Sequence, residues 1–306
     1  MPSPFDLVAA LRPDGHIRVI APSSPFPRED FARGVARLRE RYRVSFADDL
    51  FEARGYLAGD DARRLAELRD ALTDPDVDAI VAARGGYGAT RLLDALTPEE
   101  VRASPKLLVG FSDVTALHAL WARAGLRSIH GPMVAALGRA EPAWVERWIA
   151  AVEGGPVAAA TGLDTIHPGE AEGPVVGGNL AVLAALVGTP YAPPLDDAIL
   201  FLEDVGEAPY RVDRMLTTLR QAGWLARVRG VALGSFTACD PRADGRTVEA
   251  VLRDRLADLG VPVAAGVGAG HAPEDGEVPL GAMAQLDATR GSLRFVENAV
   301  EARRAG

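Results

Sequence analysis

Residues Lys106–Leu120 read KLLVGFSDVTALHAL, and the centre of that run has the residue types for nucleophilic chemistry. Leu107-Leu108-Val109 is an apolar run of the kind that fills a buried strand. Val114, Leu117 and Leu120 share one side of a following helix. Between them lies Gly110-Phe111-Ser112-Asp113. A strand that becomes a helix within three residues must turn sharply. Such a turn presents a serine hydroxyl beside backbone N–H groups left free at the helix start. An exposed hydroxyl next to N–H donors is what attack on a carbonyl and stabilisation of the resulting oxyanion require. Ser and Asp are also favoured helix N-caps, so the same tetrapeptide has a purely structural reading.

A serine nucleophile needs a base and a group that orients the base. The chain has five histidines. His16 begins a strand, His118 lies in the helix after Ser112, and His167 precedes Pro168 in a Gly/Pro-rich stretch. His130 ends a short strand before Gly131-Pro132, and His271 ends the run GVGAGH after an apolar strand. Sites in parallel α/β sheets lie beyond the carboxyl ends of strands, which leaves His130 and His271, with His271 in the more site-like context. Among acids, Glu203 and Asp204 follow the strand AILFL and point to opposite faces. An unpaired charge on that strand would be costly, and Asp204 is the better fit to a capping or surface role. The order Ser112, Glu203, His271 is one used by serine hydrolases, although no G-x-S-x-G surrounds Ser112.

Arg84-Gly85-Gly86-Tyr87-Gly88 follows a third apolar strand. Paired glycines there let the backbone approach a ligand and aim N–H groups at an anion. Without a terminal Lys-Ser/Thr it is not a P-loop. It can donate a second oxyanion N–H, the first coming from Asp113, or be a plain turn.

These residues need a scaffold, and the pattern supplies one. Strands are expected at His16–Ala21, Asp78–Ala83, Lys106–Val109 and Ser128–His130, with helices at Phe31–Arg41, Asp60–Leu72, Thr90–Leu96 and Ala143–Val152. That alternation predicts βαβ units in a Rossmann-like parallel sheet over residues 1–153. Residues 154–173, rich in Gly, Pro, Ala and Thr, read as a linker. Residues 174–306 read as a second, mixed α/β domain. Its strands are Ala198–Leu202, Gly230–Phe236, Val261–Val267 and Gly291–Val296, and its helices start at Asn179, Tyr210 and Val248.

The 306 residues are 48% hydrophobic, enough to bury a full core, and carry a net charge of -9. That balance argues against nucleic acid and against anionic membrane surfaces. No window reaches the length of a membrane span. The N-terminus lacks the basic start and apolar stretch of a signal peptide, so a cytoplasmic location is expected. The single cysteine, Cys239, excludes an intrachain disulfide and a Cys-based zinc site.

The chain resembles the L,D-carboxypeptidases, or muramoyl-tetrapeptide carboxypeptidases, a family of serine peptidases. The likeness runs through VIAPSSP, ARGGYGATRLL, LLVGFSDVTALH, HGPM, GGNLAVLAALVGTPY, LFLEDVGEAPYRVDRMLTTLRQAG and GAGH, in that order along nearly the whole chain. It implies Ser112 as nucleophile, His271 as general base, Glu203 as orienting acid, and an oxyanion hole from the backbone of Gly86 and Asp113. It implies removal of the terminal D-alanine from a murein tetrapeptide, with no metal or cofactor, in a homodimer. The D-alanine carboxylate needs a cationic or N–H-rich pocket. Arg84, with its neighbours Gly85 and Tyr87, is the candidate, and a structural ion pair is the other reading of Arg84. A related branch, the microcin C immunity peptidases, uses the same three catalytic residues on an aminoacyl-adenylate antibiotic. That branch tends to be longer near the substrate and to carry an aromatic residue for adenine. Gly188–Ala198 is short here and Trp224 is the only tryptophan nearby, which favours murein peptide.

Overall fold

Short runs of β-branched and small apolar residues, each ended by Gly, Pro or a charged loop, become the strands. The structure is a computed structural model, and it describes residues 3–301. In chain order the strands are β1 (His16–Ile20), β2 (Arg43–Ser45), β3 (Ala79–Ala82), β4 (Leu107–Gly110), β5 (Ser128–His130), β6 (Ala160–Thr161), β7 (Asp164–His167) and β8 (Glu170–Asn179). They continue with β9 (Ile199–Val205), β10 (Gly230–Thr237), β11 (Val263–Ala265), β12 (Val278–Leu280), β13 (Met283–Asp287) and β14 (Ser292–Phe295). The α-helices are α1 (Arg28–Arg39), α2 (Asp61–Thr73), α3 (Pro98–Ala103), α4 (Thr115–Arg123), α5 (Val134–Leu137), α6 (Pro142–Val152), α7 (Leu180–Leu186), α8 (Pro209–Gln221) and α9 (Val248–Leu256).

The first sheet has the order β12-β5-β4-β3-β1-β2. Its strands β1 to β5 are parallel, and β12 joins β5 antiparallel at the edge. Every residue of β3 and β4 is buried, as expected of central strands covered on both faces. After β1 the chain turns one way to β2 and returns on the other side to β3. That reversal is a topological switch point, where loops after neighbouring strands part and leave a crevice. The loops after β1, β3 and β4 meet there. The second sheet runs β6-β14-β13-β8-β9-β10-β11-β7. Strands β8 to β11 are parallel, while β13, β14, β6 and β7 are antiparallel additions. The protein is thus α/β, with a parallel N-terminal sheet and a mixed C-terminal one. Six of the seven residues of β9 are buried, which places Glu203 and Asp204 inside the protein.

The halves are tied together near Ser112. The Asn179 N–H at the end of β8 donates to Thr115 Oγ1 at the start of α4 (2.9 Å). β12 returns from the C-terminal half to complete the first sheet.

The structure departs from the sequence pattern in several places. The segment 154–173 contains β6, β7 and the start of β8 rather than a bare crossing. These are partly exposed, and β6 and β7 lie at the two edges of their sheet, so the apolar alternation that marks a half-buried strand is weak in them. β2, β12 and β13 are additional strands; β2 and β12 have three residues each, too few for a period to register. Pro279 in β12 is tolerated because this strand lies at the sheet edge. The helix expected at Thr90–Leu96 is a 3-10 segment, Ala89–Ala95.

Candidate active site

Ser112 opens a single 3-10 turn between β4 and α4, and its φ is +62°. A non-glycine residue in that region is held there by its surroundings, at a typical cost of about 1–3 kcal/mol, and such residues cluster at functional sites. No side-chain cap hydrogen bond forms at the start of this turn or of α4. The hydroxyl is therefore not used as a helix cap. The strand end that carries it is fixed by His118. Its ring accepts from the Ser128 hydroxyl at Nδ1 and donates to the Gly110 carbonyl at Nε2, both at 2.8 Å. Burial drives the His118 pKa down to about 4, so this imidazole is neutral and structural.

His271 follows β11, and Phe111, the residue before Ser112, packs against its ring with centroids 4.7 Å apart. His271 Nδ1 meets Glu203 Oε2 at 2.7 Å. The Glu203 side chain is fully buried and that of His271 is 16% exposed. With Nδ1 engaged, Nε2 is the ring nitrogen left for a neighbour. The His271 N–H donates to Ser235 Oγ (3.1 Å), and the Ser235 hydroxyl donates to Asp275 Oδ2 (2.5 Å), which sets the backbone of this corner. Gly270 is required beside it. Its φ is +140°, and a Cβ there would lie 2.4 Å from Ser235 Oγ and 3.1 Å from Glu203 Oε2.

Alternation along β9 sends Asp204 the other way. Its carboxylate accepts from Asn179 Nδ2 (3.1 Å) and the Ala181 N–H (3.0 Å) at the start of α7, and from the N–H of its own neighbour Val205 (2.8 Å). Burial raises its pKa to about 6.

Ser112 and His271 open into one cleft of about 540 Å³, which Arg84, Gly85, Gly86, Phe111, Met133 and Arg139 also line. Gly85 lies against the serine: a Cβ at Gly85 would be 3.2 Å from Ser112 Oγ. Gly86 has φ +116° and packs on Ser24, and its N–H makes no hydrogen bond among the described residues. Ser24 shapes this loop by donating its N–H to the Gly85 carbonyl (3.3 Å) and accepting from the Tyr87 N–H (3.1 Å). Arg84 donates to the Pro25 carbonyl (2.8 Å) and forms no ion pair among the described residues. Tyr87 does not line the cleft; it is half-exposed and packs beside Tyr56, ring centroids 5.8 Å apart. An imidazole held by a buried carboxylate, beside a strained serine and an N–H-bearing glycine loop, can carry proton transfer and acyl transfer. Among the described residues, no group of three or more His, Cys, Asp or Glu side chains is placed to hold a metal ion.

Residues 17–131 match the LD-carboxypeptidase N-terminal domain, and residues 172–286 match the LD-carboxypeptidase C-terminal domain. The chain is 43% identical to a putative carboxypeptidase of Streptomyces coelicolor, over 93% of this chain and 94% of that one. The chain belongs to the LD-carboxypeptidase family. It is by that membership a peptidase. A murein tetrapeptide carboxypeptidase of Pseudomonas aeruginosa is 34% identical, over 90% of this chain and 94% of the other. Among solved structures, a muramoyltetrapeptide carboxypeptidase from Oxalobacter formigenes superposes with a TM-score of 0.82 at 31% identity, covering 92% of this chain and 97% of that one. The microcin C7 self-immunity protein MccF, solved with aspartyl sulfamoyl adenosine, has a TM-score of 0.86 at 23% identity, covering 97% of this chain and all of that one. At that identity it attests the shared fold alone.

Several residues of this LD-carboxypeptidase family member matter in ways the sequence did not assign. The Asp113 side chain is buried and joins all three strand-end loops. It accepts from the Ser23 hydroxyl after β1 (2.6 Å) and from the Ala89 N–H after β3 (2.7 Å), while its own residue follows β4. Burial raises its pKa, and the two donors oppose that rise. The Ser23-Ser24 pair sits in the quoted run VIAPSSP, but which acid it would meet is invisible without the fold. His130, the other strand-end histidine, is fully buried between Phe111 and Phe201, and burial pushes its pKa well down. Arg139, also missed, lies at the start of the loop between α5 and α6, where an isolated arginine carries no pattern.

Proposed function

We propose that the protein is a serine carboxypeptidase that releases the C-terminal D-alanine from murein tetrapeptide, in the recycling of peptidoglycan. In this reading the Ser112 hydroxyl passes its proton to His271 Nε2 and attacks the carbonyl that precedes D-alanine. The Gly86 and Asp113 N–H groups hold the oxyanion. The C–N bond then breaks as His271 gives its proton to the departing amine. Water enters through the same base and frees Ser112 from the acyl group. Glu203 keeps the ring of His271 oriented and stabilises its positive charge. Each oxyanion donor in such chemistry is commonly worth about 2.7–4 kcal/mol.

The observation that carries the reading is the 2.7 Å contact between His271 Nδ1 and the fully buried Glu203, in a cleft shared with a serine at φ +62°. The names of the Pseudomonas and Oxalobacter relatives support murein tetrapeptide as the substrate. The family resemblance supports a homodimer, and no helix among the described residues is long and apolar enough to cross a membrane. Incubating the pure protein with murein tetrapeptide and, separately, with an aspartyl-adenylate analogue tests the substrate. The reading expects free D-alanine from the first. Cleavage of the adenylate analogue alone would move the protein to the microcin-immunity branch.

A further inference from the structure

Two cavities meet at His271. The outer cleft holds Ser112 and the Gly85–Gly86 loop. An inner cavity of about 320 Å³ lies beyond, walled by His130, Pro132, Trp144, Gly270 and Asp275. Phe111, Ala136, Arg139 and His271 border both.

The charge around this junction runs against the rest of the molecule. The chain carries a net charge of -9, yet the charged side chains lining the outer cleft are Arg84 and Arg139, and no carboxylate is among them. The inner cavity has one carboxylate, Asp275, and it already accepts from the Ser235 hydroxyl (2.5 Å) and the Ala272 N–H (2.8 Å). His130, fully buried in the inner wall, has both ring nitrogens without a hydrogen-bond partner among the described residues.

The two arginines differ in how they are held. Arg84 leans on the Pro25 carbonyl. Arg139 is fixed at Nη1 by Asp30 (2.7 Å), a carboxylate that also pairs with Arg33. Its side chain remains 61% exposed. A guanidinium pinned at one nitrogen keeps donors in a fixed plane, the arrangement that takes a carboxylate in two-point contact.

We infer that the inner cavity receives the residue that is released, and that Arg139 binds that residue's terminal carboxylate. The inference rests on the carboxypeptidase reading and deepens it. His271 must protonate the departing amine, so the departing residue lies on the side of Ser112 that faces His271. The inner cavity is lined by His271 and not by Ser112 or the glycine loop, which line the outer cleft. A residue as small as alanine fits about 320 Å³ with room to spare. Its carboxylate loses water on entry and needs a charged partner. Arg139 thereby restricts the enzyme to peptides that end in a free acid.

Calorimetric binding to the Ser112→Ala protein tests this without turnover, using the tetrapeptide and its C-terminal amide. The free acid is expected to bind about 10–100-fold more tightly than the amide, the range for a hydrogen bond to a charged group. Adding Arg139→Ala is expected to shrink that ratio to about threefold or less, while adding Arg84→Ala leaves most of it. Arg139→Ala removes one exposed ion pair, so the fold survives, and an unchanged melting temperature confirms it. Equal binding of acid and amide in the Ser112→Ala parent overturns the inference. So does a preference that persists without Arg139 or disappears without Arg84. D-alanine release by the wild-type protein, measured alongside, reports separately on the carboxypeptidase reading.

Discussion

Replacing Glu203 by Gln isolates the charge of the proposed orienting carboxylate from its geometry. The amide oxygen of Gln can still accept from His271 Nδ1–H, because the pocket that holds the side chain is unchanged. In the proposed mechanism, what disappears is the negative charge facing the imidazolium that forms when Ser112 is deprotonated. With charge centres about 4 Å apart and an effective dielectric constant of about 20, that interaction is worth about 4 kcal/mol. A transition state that loses it forms about 10³-fold more slowly. The other acids nearby are held elsewhere: Asp204 by Asn179, Ala181 and the Val205 N–H, and Asp275 by the Ser235 hydroxyl and the Ala272 N–H. Stability is expected to change little. Glu203 Oε1 has no hydrogen-bond partner among the described residues, so the neutral variant relieves part of a desolvation cost while losing a charged contact. The assay is D-alanine release under saturating murein tetrapeptide, with urea unfolding as the control. The expected result is kcat down by about 10³-fold with KM near wild type and stability within about 1 kcal/mol. A kcat within tenfold of wild type would refute the assigned role of the carboxylate.

Gly85→Ala should behave as an active-site block. Its Cβ would stand 3.0 Å from Ser112 Cβ and 3.2 Å from Oγ, and turnover should drop at least about 10²-fold with the melting point within a few degrees; near-normal turnover would contradict the crowding argument. Asp113→Ala strands the Ser23 hydroxyl and Ala89 N–H as buried donors and should destabilise by about 2–4 kcal/mol in urea, with Asp113→Asn recovering part of the loss. For pH dependence, burial raises Asp204 from 3.8 to about 6. The native state then holds that proton more tightly than the unfolded chain, so the contribution is full below pH 4 and is lost as pH rises through about 6. The difference amounts to about 3 kcal/mol, and Asp204→Asn should gain up to that much relative to wild type between pH 4 and pH 7 in urea titrations; parallel curves would contradict it.

Much of this arrangement is legible in residue order. Buried parallel strands announce themselves as unbroken apolar runs, and the runs before Gly110 and Glu203 are of that kind. Alternation separates the two directions of Glu203 and Asp204, and the structure adds what each meets. The sequence leaves Ser112 open between cap and nucleophile, because the distinction lies in a backbone angle and in a missing cap bond. His130 and His271 look alike as strand-end residues; burial separates them, and it depends on Phe111 and Phe201 arriving from elsewhere. The edge strands β6, β7 and β12 escape notice because short, one-sided pairing puts little constraint on residue type. The bond from Ser23 to Asp113 joins residues 90 positions apart, and no local period encodes it.

Ser112→Ala tests most directly the proposal that Ser112 attacks the peptide carbon. The variant removes one oxygen atom that makes no capping bond, so it should fold as the wild type does. With murein tetrapeptide as substrate, release of D-alanine should fall to the uncatalysed background while wild-type protein assayed beside it turns over. Continued D-alanine release by the alanine variant at a rate comparable to wild type would contradict the account.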